Sequence, residues 1–279
     1  MIRIIADTTC SLPLETLAAL GIDTIPQIII IGEDSYRDDT EIDSPTFLRM
    51  LKTSPILPKT AAPPPYLYLP LFEKYSKLGD TILVITPSSE VSGTFSRATI
   101  ASEEFPDADI HIIDSRTLAG GLGSIILQAH KWVQEGIPID ILKTAIKEMA
   151  SRERVYFLVD TLEYLHKGGR IGKAEALFGS LLQIKPILTL DDGKVSSFDK
   201  QRTTKHALNA IRDLIIDHSI GNPNPNLSIS QIAAEETALK LKSELMASLK
   251  LESIPIYRMP PAIIVHAGPG VLSLSCFIQ

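Results

Sequence analysis

Thr81-Ile-Leu-Val-Ile-Thr-Pro-Ser-Ser-Glu-Val-Ser-Gly-Thr-Phe-Ser96 reads as a strand, a polar loop and the opening of a helix. Residues 81–86 form an aliphatic run of the length a buried strand takes. Past the loop, residues 96–104 space their apolar side chains at i, i+3 and i+4, the period of a helix face. The same alternation recurs outward from this unit. Strands are expected at 2–6, 24–31, 109–113 and 155–159, and helical patterns at 45–51, 68–77, 125–133 and 141–149. Such alternation is the mark of right-handed βαβ units around a mostly parallel sheet.

Helix starts carry matching chemistry. Ser11 precedes Leu12-Pro13, Asp43 and Ser44 precede Pro45, and Asp140 opens the helix through Met149. Caps and first-turn prolines sit where orphan backbone N–H groups need them. Ala61-Ala-Pro-Pro-Pro65 cannot continue a helix and is expected as an extended connector.

After Thr161 the pattern changes. Residues 187–190 and 194–198 flank Asp191-Asp-Gly193, and Asp-Gly specifies a tight hairpin turn. A helix over 204–216, the loop Gly221-Asn-Pro-Asn-Pro-Asn226, a strand, a helix over 234–249 and three short C-terminal strands follow. The run Ala262-Ile-Ile-Val-His266 is read among those strands. The fold class is therefore α/β in two domains. Residues 1–150 carry a mostly parallel sheet flanked by helices, and residues 151–279 a mixed sheet with helices.

Of the 279 residues, 27 are basic and 33 acidic, a net charge of −6, so the chain lacks the basic field that nucleic-acid binding uses. The hydrophobic share of 44% calls for a large core or an internal apolar cavity. Cys10 and Cys276 fit no metal or disulfide spacing and read as small core side chains. The chain enters a strand almost at once, leaving no room for a signal peptide. Its apolar runs fall far short of the ~20 residues that span a bilayer. A cytoplasmic monomer without metal or cofactor is the expectation.

Ser92-Gly93-Thr94 lies between strand and helix, at the edge where α/β folds place ligands. A helix N-terminus and two hydroxyls there suit a carboxylate or phosphate oxygen; an ordinary N-cap pair is the alternative. Thr60 is placed on the loop before Ala61, and it too reads as either a ligand donor or an exposed loop hydroxyl. His266, followed by Ala-Gly-Pro-Gly270, is either a donor to an anion or a core histidine satisfied by a carbonyl. The run through His166-Lys-Gly-Gly-Arg170-Ile-Gly-Lys173 fails as a phosphate loop, because Lys167 stands where its first glycine belongs and Ala174 follows Lys173. A basic turn facing a partner and one pairing with Asp160 and Glu163 both stay open. Gly120-Gly-Leu-Gly123 fails the dinucleotide fingerprint. Asp7-Thr8-Thr9 and Asp114-Ser115 follow strand C-terminal ends, the usual ligand edge, and read either as ligand-facing or, the favoured reading, as turn-forming residues.

Taken together, these segments resemble the DegV family of fatty-acid-binding proteins nearly from end to end. The carriers of the resemblance, in order, are Ile5-Ala-Asp7-Thr-Thr9, Thr60-Ala-Ala-Pro63, Val91-Ser-Gly-Thr-Phe95, Asp114-Ser115, Asp160 through Arg170-Ile, Ile184-Lys-Pro-Ile-Leu188 and His266-Ala-Gly-Pro-Gly270. The resemblance implies a long-chain fatty acid in a tunnel between two α/β domains. It implies that Thr60, Ser92, Thr94 and His266 hold the carboxylate, with Gly93 allowing close backbone approach. It also implies presentation of the acyl group to a separate fatty-acid kinase subunit, with no chemistry by this chain. Arg170 and Lys173 are candidate docking residues for that partner. Two departures stand out: Ala61 where relatives often carry serine, and Val265 in place of a small polar residue. A 16-carbon tail buries enough methylene for on the order of 12 kcal/mol before binding costs, so a few neutral donors suffice to orient the head group. Two other functions compete. One is an acyl hydrolase using Ser92 and His266, which lacks an evident third member. The other is a nucleotide or phosphate binder using Arg170 and Lys173.

Overall fold

The structure, a computed structural model, describes residues 1–178 and 184–279. The first half runs β1 (Ile2–Asp7), α1 (Leu14–Ala19), β2 (Asp23–Ile25), β3 (Ile28–Ile31), β4 (Asp34–Arg37), α2 (Ser44–Thr53) and β5 (Lys59–Ala61). It continues with α3 (Leu69–Lys77), β6 (Thr81–Thr86), α4 (Thr94–Ser102), β7 (Ile110–Asp114), α5 (Ala119–Gln134) and α6 (Ile139–Ser151). The second half runs β8 (Glu153–Leu158), α7 (Glu163–Lys167), β9 (Lys185–Asp191), β10 (Lys194–Gln201) and α8 (Thr204–Ser219). It ends with β11 (Ser228–Gln231), α9 (Glu235–Leu249), β12 (Ile256–Arg258), α10 (Pro261–Ala267) and β13 (Leu272–Phe277). Among the described residues, no helix is long and apolar enough to cross a membrane.

The first sheet has the order β2-β1-β6-β7 and is parallel throughout. Alternate residues serve opposite faces. Ile4, Ala6, Leu83 and Ile85 pack with Leu122 and Ile126 of α5 and Ile146 of α6. Ile5, Ile82 and Val84 pack with Phe72 and Tyr75 of α3 and Ala98 of α4. A sheet covered on both faces needs apolar residues at every position, which is why these strands read as unbroken aliphatic runs.

The second sheet is mixed, in the order β10-β9-β8-β13-β11-β12, with β11 and β12 parallel and the other pairs antiparallel. Its outer face carries Tyr156, Leu158, Leu274 and Cys276 against Ile211 and Ile215 of α8 and Leu241 and Leu245 of α9. Its other face, with Leu188 and Val195, joins a core shared with α2 and α10. The β9–β10 turn has positive φ at Asp192 (49°) and Gly193 (78°), the primed geometry that Asp-Gly favours. The α/β class, the parallel first sheet and the mixed second sheet are as expected.

Three local readings are corrected. The run 24–31 is two strands rather than one: β2 belongs to the parallel sheet, while β3 joins a separate antiparallel sheet, β4-β3-β5. Pro26 has no N–H to give to a ladder, and the Gln27 N–H turns aside to Asp38 Oδ1 at 2.8 Å. Thr60 sits on β5, opposite Ile29 of β3, rather than on a loop. The C-terminal segment has two strands with a helix between them, because 261–267 coils into α10 behind Pro260 and Pro261. Proline at the first helical position is preorganised for that turn. A short apolar run that is buried all round gives no period to distinguish helix from strand.

Candidate functional site

The C-terminal edge of the parallel sheet meets the second sheet and α10 around a cleft of about 960 Å³, its open mouth included. Val91 and Leu118 line it from the first sheet's edge, Phe157, Leu190, Val195 and Val271 from the second sheet, and Ala262 and Ile263 from α10. Polar groups are few: Thr9, Gln27, Thr60, Ser92, His266, Arg170 and Ser273.

His266 is carried by the last turn of α10, which Gly268 ends at φ 78°. Its Nε2 lies 2.7 Å from Thr60 Oγ1. Its Nδ1 is buried without a partner among the described residues and packs on Gly168, where an added Cβ would overlap it. Burial, with the nearby Arg170 cation, pushes the imidazole down to about 4, so the ring is neutral at neutral pH. Loss of hydration penalises the charged form, and a neighbouring like charge adds to that.

Ser92 and Thr94 sit at the start of α4, their hydroxyl oxygens 2.8 Å apart. Gly93, between them, lies against Ala62, whose Cβ would be 3.3 Å from any Cβ placed at Gly93. Behind them runs a buried network. Gln27 Nε2 donates to Asp7 Oδ2 at 2.5 Å and to Thr94 Oγ1 at 2.8 Å. Asp7 also accepts from Thr9 N–H at 2.7 Å and Thr9 Oγ1 at 2.6 Å. Asp38 accepts from the Gln27 N–H and from Thr8 Oγ1, each at 2.8 Å. Burial pushes Asp7 upward, and burial with the Asp7 charge pushes Asp38 up to about 8.

Of the residues singled out in the sequence, Thr60, Ser92, Gly93 and His266 line the cavity together. Thr94 is buried behind Ser92 and its hydroxyl is engaged by Gln27 and Ser92. Ala62 lines the cavity and Ala61 does not, as strand alternation requires of neighbours, so the missing hydroxyl at Ala61 removes nothing from the lining. Arg170 lines the cavity, with Nη1 on the Gly168 carbonyl (2.8 Å) and Nε on that of Val91 (3.2 Å). Lys173 lies outside, exposed and ion-paired with Asp191. Ser92 hydrogen-bonds Thr94 while His266 hydrogen-bonds Thr60, so the two are not arranged as nucleophile and base. Among the described residues, no group of three or more His, Cys, Asp or Glu side chains is placed to hold a metal.

Gln27 and Thr9 complete the polar end; the sequence reading passed over Gln27 and took Thr9 as turn-forming rather than ligand-facing. Their signals were present: Pro26-Gln27 interrupts an aliphatic run, and Asp7-Thr8-Thr9 follows a strand's C-terminal end. The capping role of Asp7 is also real, since it accepts from Thr9 N–H at the start of a 3-10 turn.

Comparison with known proteins agrees over the whole length. The family model described as "Uncharacterised protein, DegV family" matches residues 1–279. Protein DegV of Bacillus subtilis is 32% identical over 281 residues, covering 99% of each chain. A DegV domain-containing protein of Streptomyces coelicolor is 31% identical over 276 residues, covering 98% of this chain and 97% of its own. Among solved structures, a fatty-acid-binding DegV family protein from Thermus thermophilus superposes with a TM-score of 0.92 at 27% identity, covering 100% of this chain and 99% of the other. The Bacillus subtilis DegV structure, described as a fatty acid binding protein, gives 0.86 at 33% identity, covering 99% of each. On its sequence and its fold, this chain belongs to the DegV family.

Proposed function

We propose that this protein binds a long-chain fatty acid, its tail in the apolar cavity and its carboxylate at the polar end. The observation that carries the reading is an apolar cleft whose polar end groups the Thr60–His266 pair, Ser92 and Gly93. The fatty-acid-binding descriptions of the Thermus and Bacillus relatives support it. With Nδ1 facing Gly168 and no acceptor among the described residues, the favoured tautomer carries its proton on Nε2, since an orphaned buried N–H is the rarer defect. His266 then donates to Thr60 Oγ1, and the Thr60 hydroxyl proton is free for the carboxylate. Ser92 supplies a second hydroxyl. Gly93 lets the α4 N-terminus come close, and Thr94 acts through Ser92. The cleft would then separate two units, 1–150 and 151–279, in a monomeric, non-catalytic carrier.

Native mass spectrometry of the purified protein, followed by lipid extraction, tests this. One retained long-chain fatty acid per chain is expected. His266→Ala should weaken binding about three- to tenfold, the worth of one lost hydrogen bond, with the fold intact. A protein that is empty and ignores added oleate and palmitate overturns the reading.

We further propose that the acyl group is presented to a separate fatty-acid kinase subunit, which phosphorylates the carboxylate, and that Arg170 and Lys173 help dock its acidic surface. Lys173→Glu lies outside the cavity, so it should lower kinase-dependent acyl-phosphate formation without changing fatty-acid affinity. Unchanged formation would remove the docking role.

A further inference from the structure

We infer that Val155, flanked by Leu190 and Val195 and backed by Glu153, is the end wall of the cavity and sets the longest acyl chain it accepts. The inference rests on the fatty-acid reading above. Strand direction locates the wall. Beyond Leu158, β8 leads to α7, whose C-terminal Gly168 touches His266. The path along β8 from Phe157 to Val155 to Glu153 therefore recedes from the polar end, by roughly 6.6 Å per alternate residue.

Phe157 and Val155 line the cavity and Glu153 does not. Glu153 instead lines a separate cleft of mixed character, with Arg116, Lys147 and Arg154 beside Ala150 and Phe198. Val155 and Leu190 line both spaces, so the partition is one layer of side chains thick. Cross-strand register draws the same boundary. Ser273, opposite Phe157, lines the cavity, while Ser275, opposite Val155, donates to Glu153 Oε1 at 2.7 Å. Val195 stands opposite Leu190 on β10 and extends the row.

Straight on past Glu153, toward α5, there is no room for a hydrocarbon tail. The α5 backbone at Gly121 lies directly on the Glu153 carboxyl, where any added Cβ would overlap it. Pushing a methyl end there would separate a buried carboxyl from its hydrogen-bond partners, a cost that apolar contact does not offset.

The test compares delipidated wild type with Val155→Phe and Val155→Ala, titrated with saturated fatty acids from dodecanoic to eicosanoic. Circular dichroism confirms that each variant is folded. Val155→Phe should shift the preferred length downward, each methylene that no longer fits lowering affinity about fourfold. Val155→Ala should shift it upward. Val195→Phe, on another strand of the same row, replaces Val155→Phe if that variant does not fold. Variants that bind fatty acids with the wild-type length profile overturn the wall while leaving the fatty-acid reading standing. A wild type that binds none of the series takes both down.

Discussion

His266 owes its neutrality to where the fold puts it: a neutral imidazole can orient a hydroxyl without adding a charge to a dry cavity. Gly168 holds the ring in place because it has no side chain. Its own φ is −78°, so alanine there meets no dihedral strain, but its Cβ would overlap His266 Nδ1 and lie 2.9 Å from the Tyr164 carbonyl oxygen. Gly168→Ala is therefore expected to weaken fatty-acid binding several-fold by displacing His266, and to lower the urea midpoint modestly through the crowded Tyr164 carbonyl. Calorimetric titration beside an unfolding curve separates the two effects. Asp38 offers a second test at this scale. Its folded-state pKa is raised to about 8, above the unfolded value near 3.8, so the native state holds the proton more tightly. The stability this contributes is present at low pH and lost as pH rises through 8. Asp38→Asn, which keeps an acceptor for the Gln27 N–H, should remove part of that loss. The variant should gain at least about 1 kcal/mol on wild type between pH 5 and pH 8, since a tenfold difference in proton affinity between folded and unfolded chain is worth about 1.4 kcal/mol. Unfolding curves at the two pH values read this directly.

At the scale of elements, the β9–β10 hairpin does more than return the chain. Its turn reaches the loops at the edge of the parallel sheet, where Ser88 Oγ donates to the Gly193 carbonyl at 2.9 Å and Arg116 pairs with Asp192 at 2.6 Å. The hairpin thereby ties the strands bearing Leu190 and Val195 to the loop that carries Val91 and Ser92. Gly193 combines a φ of 78° with a position where a Cβ would overlap Ser88 Oγ. Gly193→Ala should cost about 1–3 kcal/mol, seen as a lower urea midpoint. The existence of this hairpin was legible from Asp192-Gly193, because turn chemistry is local. Its docking on Ser88 was not, since nothing near residue 193 in sequence points to residue 88. The helix α10 was missed for a related reason: every residue from Pro261 to Val265 is buried, and a fully buried segment shows no period.

For the molecule as a whole, a ligand seated between the two sheets and α10 stabilises the folded state by mass action. At a free concentration 100 times its Kd, that amounts to about 2.7 kcal/mol. Delipidated protein is accordingly expected to melt several degrees below the loaded form, since for chains somewhat smaller than this each kcal/mol shifts Tm by roughly 2–4 °C. Added oleate should restore the loss. A Tm indifferent to both removal and addition would count against fatty-acid binding in the cavity.

The sequence alone determined the α/β class, the parallel character of the first sheet, the β9–β10 hairpin and the family, because period, turn residues and short motifs are written in consecutive residues. It also named Thr60, Ser92, Gly93 and His266. Only the tertiary structure decided what those side chains do to one another. His266 meets Thr60 across 206 positions and Gln27 meets Thr94 across 67, and such contacts exist only once the sheets pack. Burial then lowers the proton affinity of His266 and raises that of Asp7 and Asp38, and strand register decides that the cavity stops at Val155. Charge state and cavity length are properties of enclosure, and enclosure is made by residues distant in the chain.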